Sequence, residues 1–142
     1  MIARDARILL RLLLGQPRRG THAERLQSFY APQADDYDRF RERLLQGREA
    51  LIRLLDPPPG ARVLELGGGT GSNLLHFGAR LASFERVELV DLCPALLDQA
   101  RRKTAGMTNV HLIEADAASY RPAEPPDVIY FSYALTMIPD WR

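Results

Sequence analysis

The sequence predicts an α/β chain: a parallel sheet with right-handed crossovers, preceded by an N-terminal helical cap. Three observations predict it. After Gly60, short apolar runs alternate with amphipathic stretches, which is how strand–helix crossover units read in a sequence. The first apolar run feeds a glycine cluster that holds four of the chain's ten glycines within positions 67–71. Carboxylates stand at the ends of three successive runs, as Glu65, Asp91 and Asp116. Before Gly60 the apolar spacing is helical. The chain therefore divides into a helical cap and linker over 1–59 and a sheet-bearing part over 60–142.

Residues 2–14 read as a helix with Arg4, Arg7 and Arg11 on one stripe and Ile2, Leu9, Leu10 and Leu13 opposite. Two readings stay open for it. It lies on an anionic membrane surface as a peripheral contact, or it packs on the domain or a partner with its arginines in water. Gly15–Gly20 is a linker. Thr21-His22-Ala23-Glu24 matches a capping box, so a second helix starts there and runs to Tyr30, where Pro32 breaks it. A third helix is expected over Asp35–Leu55, weakened at Gly47, with Tyr37, Phe40, Leu44, Leu51 and Leu54 or Leu55 on one face. Asp56-Pro57-Pro58-Pro59-Gly60 ends it.

The sheet part follows in order. Arg62–Leu66 is a strand and Ser72–Phe84 a helix. Arg86–Val90 is a strand, and Pro94–Lys103 a helix opened by proline in its first turn. Asn109–Glu114 is a strand, and Asp127–Ser132 another after the Pro-rich loop Arg121–Pro126.

Composition bounds the function. The 142 residues allow one domain. With 19 basic against 18 acidic residues, net charge is +1, and no nucleic-acid partner is indicated. The single cysteine, Cys93, excludes an intrachain disulfide and suits a reducing compartment. No run approaches the ~20 apolar residues of a membrane span. Arg11 interrupts the one stretch that a signal peptide would need, so a cytoplasmic location is expected. His22, His76 and His111 are scattered, and no metal site is expected.

The glycine loop carries most of the information. In Val63-Leu64-Glu65-Leu66-Gly67-Gly68-Gly69-Thr70-Gly71 a strand runs into a loop that opens a helix. Missing Cβ atoms let the backbone turn tightly and approach a ligand, and the helix start offers free N–H groups. A phosphate-binding P-loop would end in Gly-Lys-Ser/Thr, which is absent. A dinucleotide fingerprint counted from Gly67 has Ser72 where its last glycine belongs. Glu65 would repel a pyrophosphate but suits a ligand with an ammonium group, directly or through water. That favours S-adenosylmethionine (SAM) over NAD. Asp91, 20 residues after Gly71, is placed to accept both hydroxyls of a ribose. Asp116 is placed to accept an adenine amino group while a neighbouring backbone N–H meets the ring.

These residues resemble a class I SAM-dependent methyltransferase with a Rossmann-like sheet, over residues 60–140. The resemblance implies that Glu65, Gly67, Gly69 and Gly71 line the methionine end of SAM. It implies ribose and adenine contacts for Asp91 and Leu92, adenine contacts for Asp116 and Ala117, and a position near the sulfonium for Ser132. A closer resemblance rests on Phe29–Asp38, Leu44–Glu49, Val90–Pro94 and Phe131–Trp141. These look like the methyltransferase part of betaine-lipid synthases, which methylate the amine of a homoserine lipid head group. In that family Tyr37 and Arg48 look like candidates for closing over SAM; helix amphipathicity alone also accounts for both. In-line methyl transfer needs a neutral acceptor amine and accurate positioning, with no dedicated nucleophile or metal.

By the same resemblance the strand order is 3-2-1-4, followed by strands that this chain lacks. Six strands with crossovers need well over 142 residues. The chain is accordingly expected to be a fragment of a methyltransferase acting on a lipid or small-molecule acceptor, or one whose missing strands come from a second chain. The competing expectation is a non-catalytic SAM-binding or interaction module. Val128–Phe131 would form an open apolar edge.

Overall fold

The computed structural model describes Gly15, Pro17 and residues 19–139, without the side chains of residues 35–37, 40 and 43. The helix expected over residues 2–14 lies outside the described residues.

Helix α1 spans His22–Tyr30 and starts as its capping box dictates. Glu24 N donates to Thr21 Oγ1 at 3.2 Å, and Thr21 N donates to Glu24 Oε2 at 2.7 Å. Pro32 does not turn the chain away. It sits in the first turn of a 3-10 segment, Ala31–Gln33, where a missing N–H costs nothing. The helical path then resumes as α2, Ala34–Leu44. The single helix expected over 35–55 is two helices. Gly47, at φ +87°, takes a left-handed conformation that ends one helical path and opens α3, Arg48–Leu55. The break rotates the second segment. Leu44 and Leu54 are 57% and 84% exposed, while Ile52 is 1% exposed and enters the core.

Four strands form one sheet: β1 (Arg62–Leu66), β2 (Arg86–Asp91), β3 (Val110–Glu114) and β4 (Val128–Tyr130). Their order is β3-β2-β1-β4 and every pairing is parallel, the Rossmann-like arrangement expected. Leu66 pairs with Val90 and Asp91 with Glu114, so the carboxyl ends of β1, β2 and β3 open on one rim. β1 and β2 are buried along their middles, as interior parallel strands are, each with one buried glutamate, Glu65 and Glu88, among its apolar residues. β4 is shorter than expected. It pairs only with Val63–Glu65 of β1, and past Tyr130 the chain leaves the ladder.

The helix after the glycine loop is also shorter than its sequence suggested. α4 covers Ser72–Leu75, and Gly78 at φ +58° then starts a 3-10 segment to Ser83. Leu74 still reaches full burial, beside Val63, Val87 and Leu89. Phe77 and Phe84 close this core edge to face, with ring centres 5.1 Å apart. α5 spans Pro94–Lys103 as expected.

Two polar fastenings hold the helical cap over the rim. Gln27 of α1 accepts hydrogen bonds from Ala95 N and from Cys93 Sγ, capping the start of α5 from outside. Lys103, the chain's one lysine, pairs with Asp38 of α2. Its Nζ also donates to Ser72 Oγ at 2.7 Å and to Thr70 O at 3.1 Å, and Thr70 Oγ1 donates to Asp38. Cap, glycine loop and α5 therefore meet at a single ammonium group.

Candidate functional site

The site begins with the backbone of the glycine loop. Gly67 and Gly68 N–H groups both donate to Val90 O, at 2.8 and 3.2 Å, which folds the loop back over β2. Gly67, Gly69 and Gly71 all have positive φ. At two positions the lack of a side chain is a packing requirement. A Cβ on Gly67 would lie 2.4 Å from the Ala134 methyl carbon, and one on Gly68 would lie 2.4 Å from Leu89 Cγ. Gly71 packs against Ala100 of α5.

Asp91 ties the loop to the end of β2. Its Oδ2 accepts from Gly69 N and its Oδ1 from Cys93 N, both at 2.8 Å. Burial raises its carboxyl above the ordinary value, and these backbone donors and Arg41 pull the other way. Each oxygen keeps a further lone pair, so two hydroxyl donors can still be accepted.

These groups line a cleft at the carboxyl rim. Gly67, Gly69, Asp91, Leu92 and Ala117 form one wall. His22, Leu26, Tyr30 and Arg41 of the cap close over it, and Tyr133, Ala134 and Met137 bound the end beyond β4. The cleft presents a paired acceptor between apolar surfaces, which suits a nucleoside with a polar sugar and a flat base. Asp116 stands beside the wall. Its Oδ1 accepts from Ala118 N at 2.9 Å, shaping the turn that presents Ala117.

Glu65 occupies a different place. It lies beneath the loop, fully buried, and accepts from Asn73 Nδ2 at 2.5 Å and from Tyr130 Oη at 3.0 Å. Burial pushes its carboxyl up to about 7, against the pull of those two hydrogen bonds. It supports the loop from below and does not line the cleft. Ser132 and Arg48 meet elsewhere, in a second hollow past Tyr133. Tyr37 lies on α2, and its side chain falls outside the described residues.

Several residues of this rim escaped the sequence reading, among them His22, Leu26, Arg41 and Tyr133. His22, Leu26 and Arg41 reach the cleft only because the cap folds over it. Tyr133, at φ +57°, separates the cleft from the second hollow and donates to Gln46 O at 2.5 Å. A left-handed tyrosine leaves no trace in composition or periodicity.

Comparison with known proteins fits this geometry. A sequence model described as a methyltransferase domain matches residues 37–142. The chain is 36% identical over 106 residues to a trans-aconitate 2-methyltransferase of Methylobacterium radiotolerans, covering 73% of this chain and 38% of that protein. It is 30% identical over 93 residues to aklanonic acid methyltransferase DauC of Streptomyces sp. strain C5, covering 63% and 42%. The chain thus spans about two fifths of the length of these relatives. A SAM-dependent methyltransferase of Thiobacillus denitrificans, solved with S-adenosyl-L-homocysteine, superimposes with a TM-score of 0.53 at 28% identity, over 69% of this chain and 40% of that one. With the matching domain covering most of its length and the glycine loop, Asp91 and the 3-2-1-4 sheet in place, the chain belongs to the methyltransferase-domain family.

Proposed function

We propose that this chain binds SAM at the carboxyl rim of its sheet and forms the cofactor-binding part of a methyltransferase. The observation that carries the reading is the Asp91 carboxylate. It is held by Gly69 N and Cys93 N at the end of β2, in a cleft shared with Leu92 and Ala117. Asp91 would accept the ribose hydroxyls, and Leu92 and Ala117 would flank the adenine. When bound, SAM supplies an electrophilic methyl group. The protein's part is to hold it in line with an acceptor and keep water out.

The sequence motifs support an amine of a lipid head group as the acceptor. The relatives' names span organic acids and a transfer RNA, so family membership alone does not choose among acceptors. No described helix is long and apolar enough to cross a membrane, and surface contact through residues 2–14 would be peripheral. Flotation with anionic liposomes, comparing the full chain with one lacking residues 1–19, tests that contact. Equal flotation of the two removes it.

Calorimetric titration with S-adenosylhomocysteine tests the cofactor reading. Saturable binding is expected, weakened at least tenfold by Asp91→Ala because two hydroxyl acceptors are lost. A folded protein that gives no heat and no saturation would refute it.

A further inference from the structure

The outer side of β3 offers backbone groups that β2 does not use. Val87 N donates to Asn109 O at 2.9 Å, and Ala115 N donates to Asp91 O at 3.2 Å, so the odd-numbered residues of this strand face β2. The N–H and C=O of a strand residue point the same way, and the direction alternates along the strand. Val110, Leu112 and Glu114 therefore turn theirs outward. Val110 N is taken by Met107 O at 3.3 Å. Among the described residues, Leu112 and Glu114 meet no backbone partner on that side, and β2 is the one strand beside β3. No proline interrupts Val110–Glu114. Such an edge is a template for a further strand.

The side chains around the edge say which strand fits. A groove of about 560 Å³ runs along it, lined by Val110–Ile113 and by Arg86, Arg101, Thr104 and Gly106. No carboxylate among the described residues lines it. Val110 and Leu112 pack on the core that holds Leu97 of α5, so by alternation Glu114 also stands on the α5 side of the sheet. Glu114 is exposed and makes no ion pair among the described residues. The cations have acids of their own: Arg86 pairs with Glu88, and Arg101 with Asp98. Both members of the second pair are open to water, so a second carboxylate at Arg101 costs little.

We infer that β3 is a self-pairing edge, through which two copies of this chain join antiparallel along Val110–Glu114. With the twofold axis at Leu112, each Leu112 N–H meets the other copy's Leu112 O, and each Glu114 N–H meets the other copy's Val110 O. Glu114 then lies opposite the other copy's Val110, beside Arg101 in its groove. The same strand supplies the carboxylate and the position that receives it. That reciprocity favours a second copy over an unrelated acidic peptide.

Sedimentation velocity of the full chain tests the pairing, with and without Ile129→Lys to quiet the β4 edge. A monomer–dimer equilibrium that survives Ile129→Lys is expected. Glu114→Arg and Arg101→Glu, both at exposed positions, should each weaken it ~tenfold, because each sets like charges face to face. Mixing the two variants in equal amounts should restore the dimer, since each then meets its opposite charge on the other. A merely misfolded variant would not be rescued in this way. A dimer that Ile129→Lys abolishes belongs to β4 and overturns the assignment. So does a dimer that neither reversal weakens, or one that mixing fails to restore. A monomer at every concentration overturns it too, and if that monomer binds a fluorescein-labelled glutamate-rich peptide, the edge serves another protein instead.

Discussion

Single residues in this chain do one of two things at the rim: they touch the cleft, or they hold up what touches it. Asp91 does the first, and Glu65 does the second. Glu65 separates the two roles experimentally through its protonation. In the folded chain burial raises its carboxyl from 4.5 to about 7. Between those pH values the folded state holds a proton that the unfolded state has released. Stability from this group is thus full below about pH 4.5 and falls as pH rises toward 7. Asp91, also raised by burial, adds a slope of the same sign. Glu65→Gln should flatten much of that decline. Urea unfolding at pH 5 and pH 7.5 measures it, and an unchanged slope would mean that Glu65 is not the proton carrier. Gly67→Ala tests the loop itself. The added carbon meets the Ala134 methyl at 2.4 Å and the backbone is left-handed, so a loss of about 1–3 kcal/mol is expected in the same assay. The glycines and Asp91 were legible because a left-handed loop and a strand-end acid restrict residue type. The burial of Glu65 under the loop was not. Whether a strand-end carboxylate faces ligand or core depends on Asn73 and Tyr130, the second of which lies 65 positions away.

Elements built from local rules matched their sequence signals closely. The capping box set the start of α1, and proline set the start of α5. β1 was read to its end residues because an apolar run between turn residues has one solution. At two of the places where the sequence misled, a left-handed glycine stands at or beside the break. Gly47 divides the expected long helix, and Gly78 opens the 3-10 segment that follows the short helix after the loop. Apolar periodicity continues across such residues, while the helix axis does not. Fastenings between elements were invisible for a different reason, since they pair residues far apart in the chain. Gln27 meets Ala95 across 68 positions and Asp38 meets Lys103 across 65. Gln27→Ala removes the acceptor at the start of α5 and should cost about 1 kcal/mol, a few degrees in thermal midpoint. Asp38→Ala should cost a similar amount, because the pair is only partly buried. It should also speed proteolysis of the cap relative to the sheet. Equal cleavage rates would show that Lys103 does not fasten the cap.

At the scale of the whole molecule, one rim and one edge define the chain. The rim gathers the cofactor cleft and the Arg48 hollow on either side of Tyr133. The edge is β4, where Ile129 and Phe131 are 52% and 39% exposed beside a strand paired on one side among the described residues. Such an edge invites pairing. Light scattering should therefore show association that grows with concentration, and Ile129→Lys should reduce it. The central claim concerns the rim, and site-resolved NMR tests it most directly. SAM is titrated into ¹⁵N-labelled full chain and the amides of Gly67, Gly69, Leu92 and Ala117 are followed. The account predicts saturable shifts at these four positions, with the Gly69 amide, held by Asp91, among the largest, and little change along β3. Shifts absent from the glycine loop, or confined to the hollow around Arg48, would contradict it.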